Sequence, residues 1–267
     1  MFSDRKKILL TCDDGIRSTG LLQLYSELTK FAEVIIVTPH VQRSAEGKAI
    51  TINQIVRVEK EEITPDISGY SITGSSADAI IFGLNALEEG PFDLVVAGIN
   101  QGLNISSHIV LTSGTCAAAF EASFYDVPAI AFSMHVNPAH YFVTPTAETF
   151  SNTAKIAAKM TKQVLEMDFP EKLAFINVNF PYNATNETPV KITKLASKFL
   201  VFKPELRKDP RQNDYYFFWG DPVKEASVGS DIEAIAQEYV SISPVTSDLN
   251  LNNQKEEFAL LKKLIQK

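Results

Sequence analysis

Cysteine is scarce in this chain: Cys12 and Cys116 are the only two in 267 residues. Two distant thiols build no disulfide framework and lack the paired spacing of a zinc site, so a reducing cytoplasm is the expected setting. Long hydrophobic runs are absent as well. No segment reaches the ~18 apolar residues of a membrane-spanning helix, and the apolar run in MFSDRKKILLTCDDG is too short for a secretory signal. No membrane partner is therefore expected. Basic residues are outnumbered, 25 Lys and Arg against 32 Asp and Glu, for a net charge of −7. That balance argues against a nucleic-acid polymer as partner, because wide backbone contact needs Lys and Arg gathered on one face. A small anion is still admissible where the site supplies its own positive charge.

Several catalytic signatures are missing too. There is no G-x-G-x-x-G after a strand, no G-x-x-x-x-G-K-[ST] and no G-x-S-x-G. This weakens dinucleotide, P-loop and serine-hydrolase readings. The four histidines, His40, His108, His135 and His140, have no metal-ligand spacing. His40 and His108 fall in loops near strand ends, where a part in proton transfer and plain solvation are both open. Cys116 sits at a helix start, which lowers a thiol pKa, but a small packed side chain beside alanines is the simpler reading.

What is present is ordinary globular material, 45% hydrophobic and 21% charged. Its first part alternates strand and helix patterns. KILLTC (7–12), EVIIVTP (33–39), FDLVVAG (92–98) and PAIAFS (128–133) read as buried strands, with INQIVRVEK and DISGYSITG as shorter, half-exposed ones. Helices are expected in GLLQLYSELTKFA, over 75–90 and 113–125, and over 147–167 with an amphipathic stripe. Residues 99–112 read as a loop. Strands separated by helices predict right-handed crossovers and an α/β, doubly wound, mostly parallel sheet over residues 1–180. Residues 181–267 change character. DYYFFWG (214–220) and EYVSISPV (238–245) read as strands outside the main sheet, with a short helix near SDIEAIAQ and a last amphipathic helix in NQKEEFALLKKLIQK. Such aromatic segments suit either a local β-extension or an arm that packs on a second subunit.

Ligands of open parallel sheets bind at the carboxyl ends of the strands. The first strand delivers Asp13, Asp14 and Gly15. The loop after the second holds Ser44, the third ends in AGINQGLN with Asn100 and Asn104, and Ser113, Gly114 and Thr115 begin a helix. Each piece alone is also an ordinary turn or cap. Together on one rim they offer two carboxylates, an amide oxygen and a hydroxyl, a donor set suited to Mg²⁺, Mn²⁺ or Ca²⁺. A cation would offset the repulsion between the adjacent aspartates. The helix start at 113–115 offers N–H groups to a phosphate, so metal-assisted phosphate hydrolysis is the expected chemistry.

ILLTCDDGI, the serine of RSAEGKAIT, AGINQGLN and SGT, in that order, resemble the SurE (survival protein E) family of metal-dependent nucleotidases. The likeness continues through YSITGSSADAI, VPAIAFS and YVSISP. It implies a Rossmann-like core with a C-terminal β-rich extension exchanged between subunits of a homodimer or homotetramer. It implies hydrolysis of nucleoside 5′-monophosphates, and in some members of 3′-monophosphates or polyphosphate, with one divalent cation, Mg²⁺ or Mn²⁺, per subunit. The implied metal ligands are Asp13, Asp14, Ser44 and Asn100, with Asp13 or Asp14 as catalytic carboxylate. Gly15, Asn104, Ser113, Gly114 and Thr115 lie at the implied phosphate seat. Cys12 stands where the family usually has asparagine, Ala45 where it has glycine, and Gly74-Ser75-Ser76-Ala77-Asp78 where it has Gly-Thr-Pro-Ala-Asp. The 105–112 loop lacks the usual Gly and Asp and is one residue longer. Two rivals remain: a family member that binds metal and nucleotide with little turnover, and a receiver-like Mg²⁺-binding signalling module.

Overall fold

The computed structural model describes residues 5–136, 146–223 and 226–250. In chain order its elements are β1 (Lys7–Thr11), α1 (Thr19–Leu28), β2 (Glu33–Pro39), β3 (Val58–Thr64), β4 (Ile67–Ile72), α2 (Ser76–Ala86), β5 (Leu94–Gln101), α3 (Ser106–Thr112) and α4 (Gly114–Ser123). They continue with β6 (Ala129–Met134), α5 (Ala147–Glu166), β7 (Phe175–Phe180), β8 (Val190–Ile192), β9 (Leu200–Lys208), β10 (Asp214–Pro222), α6 (Asp231–Ala236) and β11 (Val240–Val245).

Nine strands form one sheet in the order β3-β4-β2-β1-β5-β6-β7-β11-β8. From β4 to β7 every neighbour is parallel, whereas β3 runs antiparallel to β4 and β11 antiparallel to β7. The central strands read as unbroken apolar runs because both their faces are covered. Alternation then sorts the side chains. Ile8 and Leu10 of β1 pack with Leu21, Leu24 and Leu28 of α1 and with Phe150, Ala154 and Ala157 of α5. Leu9 points the other way, into a cluster with Ile80 of α2 and Ala118 of α4. α2 begins in a capping box, in which Ser75 Oγ accepts from Asp78 N (3.1 Å) and Asp78 Oδ2 accepts from Ser75 N (2.8 Å). The chain moves outward from β1 to β2 and then returns to β5 on the other side of β1. That reversal opens a crevice at the carboxyl ends of β1 and β5.

Three expectations are corrected and one strand is added. Residues 99–112 are not a plain loop: β5 runs on to Gln101 and α3 fills Ser106–Thr112. α3 has no side-chain cap of its own; its start is fixed from afar, where Ser106 N donates to Asp231 Oδ2 (2.6 Å), Ser107 N to Ala196 O (2.7 Å) and His108 N to Ser197 O (3.2 Å). Phe175–Phe180, which the sequence patterns do not mark, is a fifth buried core strand, parallel to β6 and antiparallel to β11. EYVSISPV does not lie outside the main sheet, since β11 pairs with both β7 and β8. The helix expected over 75–90 ends at Ala86. The last helix expectation, over NQKEEFALLKKLIQK, and His140 lie outside the described residues.

β9 and β10 form a separate antiparallel hairpin. Its face made by Phe202, Leu206, Tyr216 and Phe218 is apolar and exposed. At its root, Phe199 and Val223 join Leu103, Ile105, Ala196 and Ile232 in a small cluster of their own.

Candidate metal and phosphate site

Asp13 and Asp14 follow β1 directly, where Gly15 at φ +92° turns the chain and closes on Cys12 O (3.2 Å). A side chain at Gly15 would be strained by that φ and would press on Val41. The two carboxylates are pulled apart by different partners. Asp13 is buried against the start of α4, where Thr115 Oγ1 donates to its Oδ1. Gly114 makes this approach possible, since a Cβ there would lie 2.7 Å from Asp13 Cβ and 2.8 Å from Oδ2. Asp14 turns to β5 and to the loop after β2: Gln101 N donates to Oδ2 (2.9 Å) and Gln42 Nε2 to Oδ1 (3.1 Å).

The same Gln42 nitrogen donates to Ser44 Oγ (2.9 Å), bringing the exposed Ser44 to the Asp14 carboxylate. The Ser44 loop is held on both sides. Arg43 N donates to Asp13 O (2.7 Å) and Gly47 N to Thr112 O (2.9 Å). Lys48 pairs with the buried Glu121 of α4, and Thr51 binds Asp78 through N (3.0 Å) and Oγ1 (2.6 Å). Asn100, buried at the end of β5, donates through Nδ2 to Gly102 O (2.8 Å), which makes Oδ1 the atom it can offer a cation. Its register partner across the sheet is Ser133, and Ser133 Oγ in turn accepts from Asn104 Nδ2 (2.8 Å). Ser113 caps α4 by accepting from Cys116 N (3.1 Å) and keeps its own hydroxyl hydrogen to donate.

Burial pushes the Asp13 carboxyl up to about 7, and the charge of Asp14 adds to the rise. Burial raises Asp14 too, against the hydrogen bonds from Gln101 and Gln42 that lower it. No ion pair among the described residues reaches either aspartate. Two buried carboxylates in one crevice, both raised above the ordinary carboxylate value, suit a cation, because a divalent ion would reverse the cost of their charge. Among the described residues no three His, Cys, Asp or Glu side chains gather as a metal cluster. A cation here therefore depends on neutral oxygens beside the two aspartates, which suits Mg²⁺ or Mn²⁺ better than zinc.

Cys12 is buried with Sγ 3.8 Å from Asp14 Oδ2 and 3.9 Å from Ile99 O. Burial first, then the charges of Asp14 and Asp13, hold it as a thiol. Cys116 is likewise packed, its thiol pushed up to about 12 by burial. His40 pairs with Glu61 (3.2 Å) and the His108 ring meets Phe202 edge-on at 5.6 Å; neither bonds to the aspartates among the described residues. The sequence reading missed Gln42, Gln101, Ser133, Asn177 and Asn179. Only the asparagines left a signal, two polar residues two apart in an otherwise apolar strand.

Fold and site together define a Rossmann-like α/β protein with a two-carboxylate oxygen site at its switch point, beside the first turn of a helix. Residues 8–200 match the family model described as Survival protein SurE, and the chain belongs to the SurE family. It is 38% identical to "5′-nucleotidase SurE" of Methanosarcina acetivorans over 97% of each chain. With the protein of the same name from Methanocaldococcus jannaschii it shares 37% identity, covering 94% of this chain and 95% of that one. The crystal structure of the SurE protein from Aquifex aeolicus superposes with a TM-score of 0.78 at 28% identity, over 96% of this chain and 99% of that one.

Proposed function

We propose that this chain is a metal-dependent 5′-nucleotidase that hydrolyses nucleoside 5′-monophosphates to nucleoside and phosphate. The observation that carries the reading is the placement of Asp13 against Gly114 and Thr115, which sets a buried carboxylate directly on a helix start. Asp13, Asp14, Ser44 Oγ and Asn100 Oδ1 would hold one cation per subunit, Mg²⁺ or Mn²⁺. Bound there, it supplies positive charge to the phosphoryl oxygens and lowers the pKa of water.

The remaining steps belong to the chain. The main-chain N–H of Gly114, the Ser113 hydroxyl and the Asn104 amide seat the phosphate, helped by the α4 dipole, while Thr115 holds Asp13 beside them. Gly15 keeps the turn after β1 free of a side chain against the Val41–Gln42 backbone. Water attacks phosphorus in line, the bond to the nucleoside 5′-oxygen breaks, and that oxygen leaves as the hydroxyl with a proton from solvent. Asp14, the more open carboxylate, takes the proton of the attacking water, while Asp13 stays engaged with Thr115. Residues 181–267 extend the 1–180 core, returning β8 and β11 to the main sheet, and the exposed apolar face of the β9–β10 hairpin supports an oligomerisation role for that part of the extension, in a homodimer or homotetramer. No described helix is long and apolar enough to cross a membrane, and two buried free thiols fit a reducing cytoplasm.

The test is phosphate release from AMP, GMP and polyphosphate with Mg²⁺ or Mn²⁺, repeated after chelation. Release that stops with chelator and returns with metal is expected. Folded protein that releases none under any of these conditions defeats the enzyme reading.

A further inference from the structure

Asn177 and Asn179 of β7 and Ser133 of β6 are fully buried, and each commits a side-chain polar atom to one rim residue, Asn104. Asn179 grips the Asn104 main chain twice: Oδ1 accepts from Asn104 N (2.8 Å) and Nδ2 donates to Asn104 O (3.1 Å). Asn177 Nδ2 donates to the same carbonyl (2.8 Å), while its Oδ1 accepts from the Cys116 thiol of α4 (3.8 Å). The Asn104 side chain is tied separately, through Nδ2 to Ser133 Oγ (2.8 Å).

A carboxamide at 179 thus presents the donor and acceptor that a neighbouring strand would have offered. The loop after β5 is pinned without becoming part of the sheet. Burying amides costs free energy unless each atom is paired. An apolar residue would fill the same space at lower risk, as Val178 and Phe180 do on the opposite face. Two amides at this spacing are therefore explained by what they hold. We propose that Asn177, Asn179 and Ser133 are positioning residues that fix Asn104 for a phosphoryl group, an inference that rests on the phosphate-handling reading above.

The test compares wild-type protein with Asn179→Leu and with the milder Ser133→Ala, all in Mn²⁺. Inorganic phosphate is the binding probe, KM and kcat are measured with AMP, and Mn²⁺ affinity is read from the spin-resonance signal of free metal. In Asn179→Leu the phosphate Kd and the KM for AMP rise about 10-fold or more, while the Kd for Mn²⁺ stays within about twofold. kcat falls less than KM rises. Ser133→Ala, which loses one hydroxyl, shows a smaller rise of the same kind and carries the test if the leucine variant does not fold. Wild-type phosphate affinity in a folded variant overturns the inference, and so does a proportional loss of Mn²⁺ and phosphate. The nucleotidase reading fails by a different result, wild-type protein that binds Mn²⁺ and inorganic phosphate yet releases none from AMP. The phosphate Kd values still decide the positioning role in that case.

Discussion

Gly114→Ala probes the contact on which the site turns. Gly114 is the first residue of α4, and alanine is favoured over glycine in a helix by about 1 kcal/mol. Local propensity therefore predicts a slight gain. The new Cβ, however, would lie 2.7 Å from Asp13 Cβ and 2.8 Å from Oδ2, well inside the 3.4 Å at which ordinary contact begins. Asp13 cannot swing away without loss, because its backbone carbonyl holds Arg43 N and its carboxylate holds Thr115 Oγ1. Overpacking of this kind costs about 1–3 kcal/mol. Set against the helix gain, the net destabilisation is ~0–2 kcal/mol, a fall in Tm of no more than a few degrees for a chain this long. The expected effect on the proposed cation seat is larger than the effect on stability. Displacing a ligand that its neighbours hold in place weakens metal binding by about 10–100-fold. Calorimetric titration with Mn²⁺ and a melting curve on the same sample separate the two. A Gly114→Ala protein that binds Mn²⁺ within twofold of wild type would refute the claim that α4 sets the position of Asp13.

Two further outcomes follow from the same geometry. The folded state raises the Asp13 carboxyl from 3.8 to about 7, so between those values native protein binds more protons than unfolded protein and stability falls as pH rises. Chelated protein should melt lower at pH 8 than at pH 5.5, and Mn²⁺ should shrink that difference; a gap unchanged by Mn²⁺ would place its cause elsewhere, Asp231 being another burial-raised acid. On the hairpin, Phe218→Glu puts a charge on the exposed apolar face while leaving the β9–β10 backbone pairing intact. Light scattering should show a smaller assembly than wild type at equal concentration, and an unchanged mass would remove this face from the subunit contact.

The core strands were legible because strands covered on both faces must be apolar throughout, as KILLTC and EVIIVTP are. β7 escaped because Asn177 and Asn179 interrupt its apolar run, and their partner is a main-chain segment more than seventy positions earlier. α3 escaped for a related reason. SSHIVLT carries no cap, and its start is fixed by Asp231 and by the carbonyls of residues 196 and 197. β9 is masked in the sequence by Pro204 and by its charged residues, and only pairing with the aromatic β10 makes it a strand. At the site, Asp13, Asp14, Ser44, Asn100 and the 113–115 helix start stood out by residue type at strand ends. Gln42 and Gln101 did not. One acts through an amide on an exposed loop and the other through its backbone N–H, and neither leaves a mark in residue type.

Asp13 meets Thr115 across 102 positions and Asp14 meets Gln101 across 87. The two aspartates are adjacent in the unfolded chain, but their partners converge only after β1, β5 and α4 have all docked. A nascent or partly folded chain therefore has the carboxylates without the cage, and binds a cation weakly if at all. Any ligand held by the completed cage favours the native chain alone, by RT ln(1 + [L]/Kd). With the cation site proposed above, the free divalent cation level would bear on how much of this protein survives turnover as well as on how fast it works.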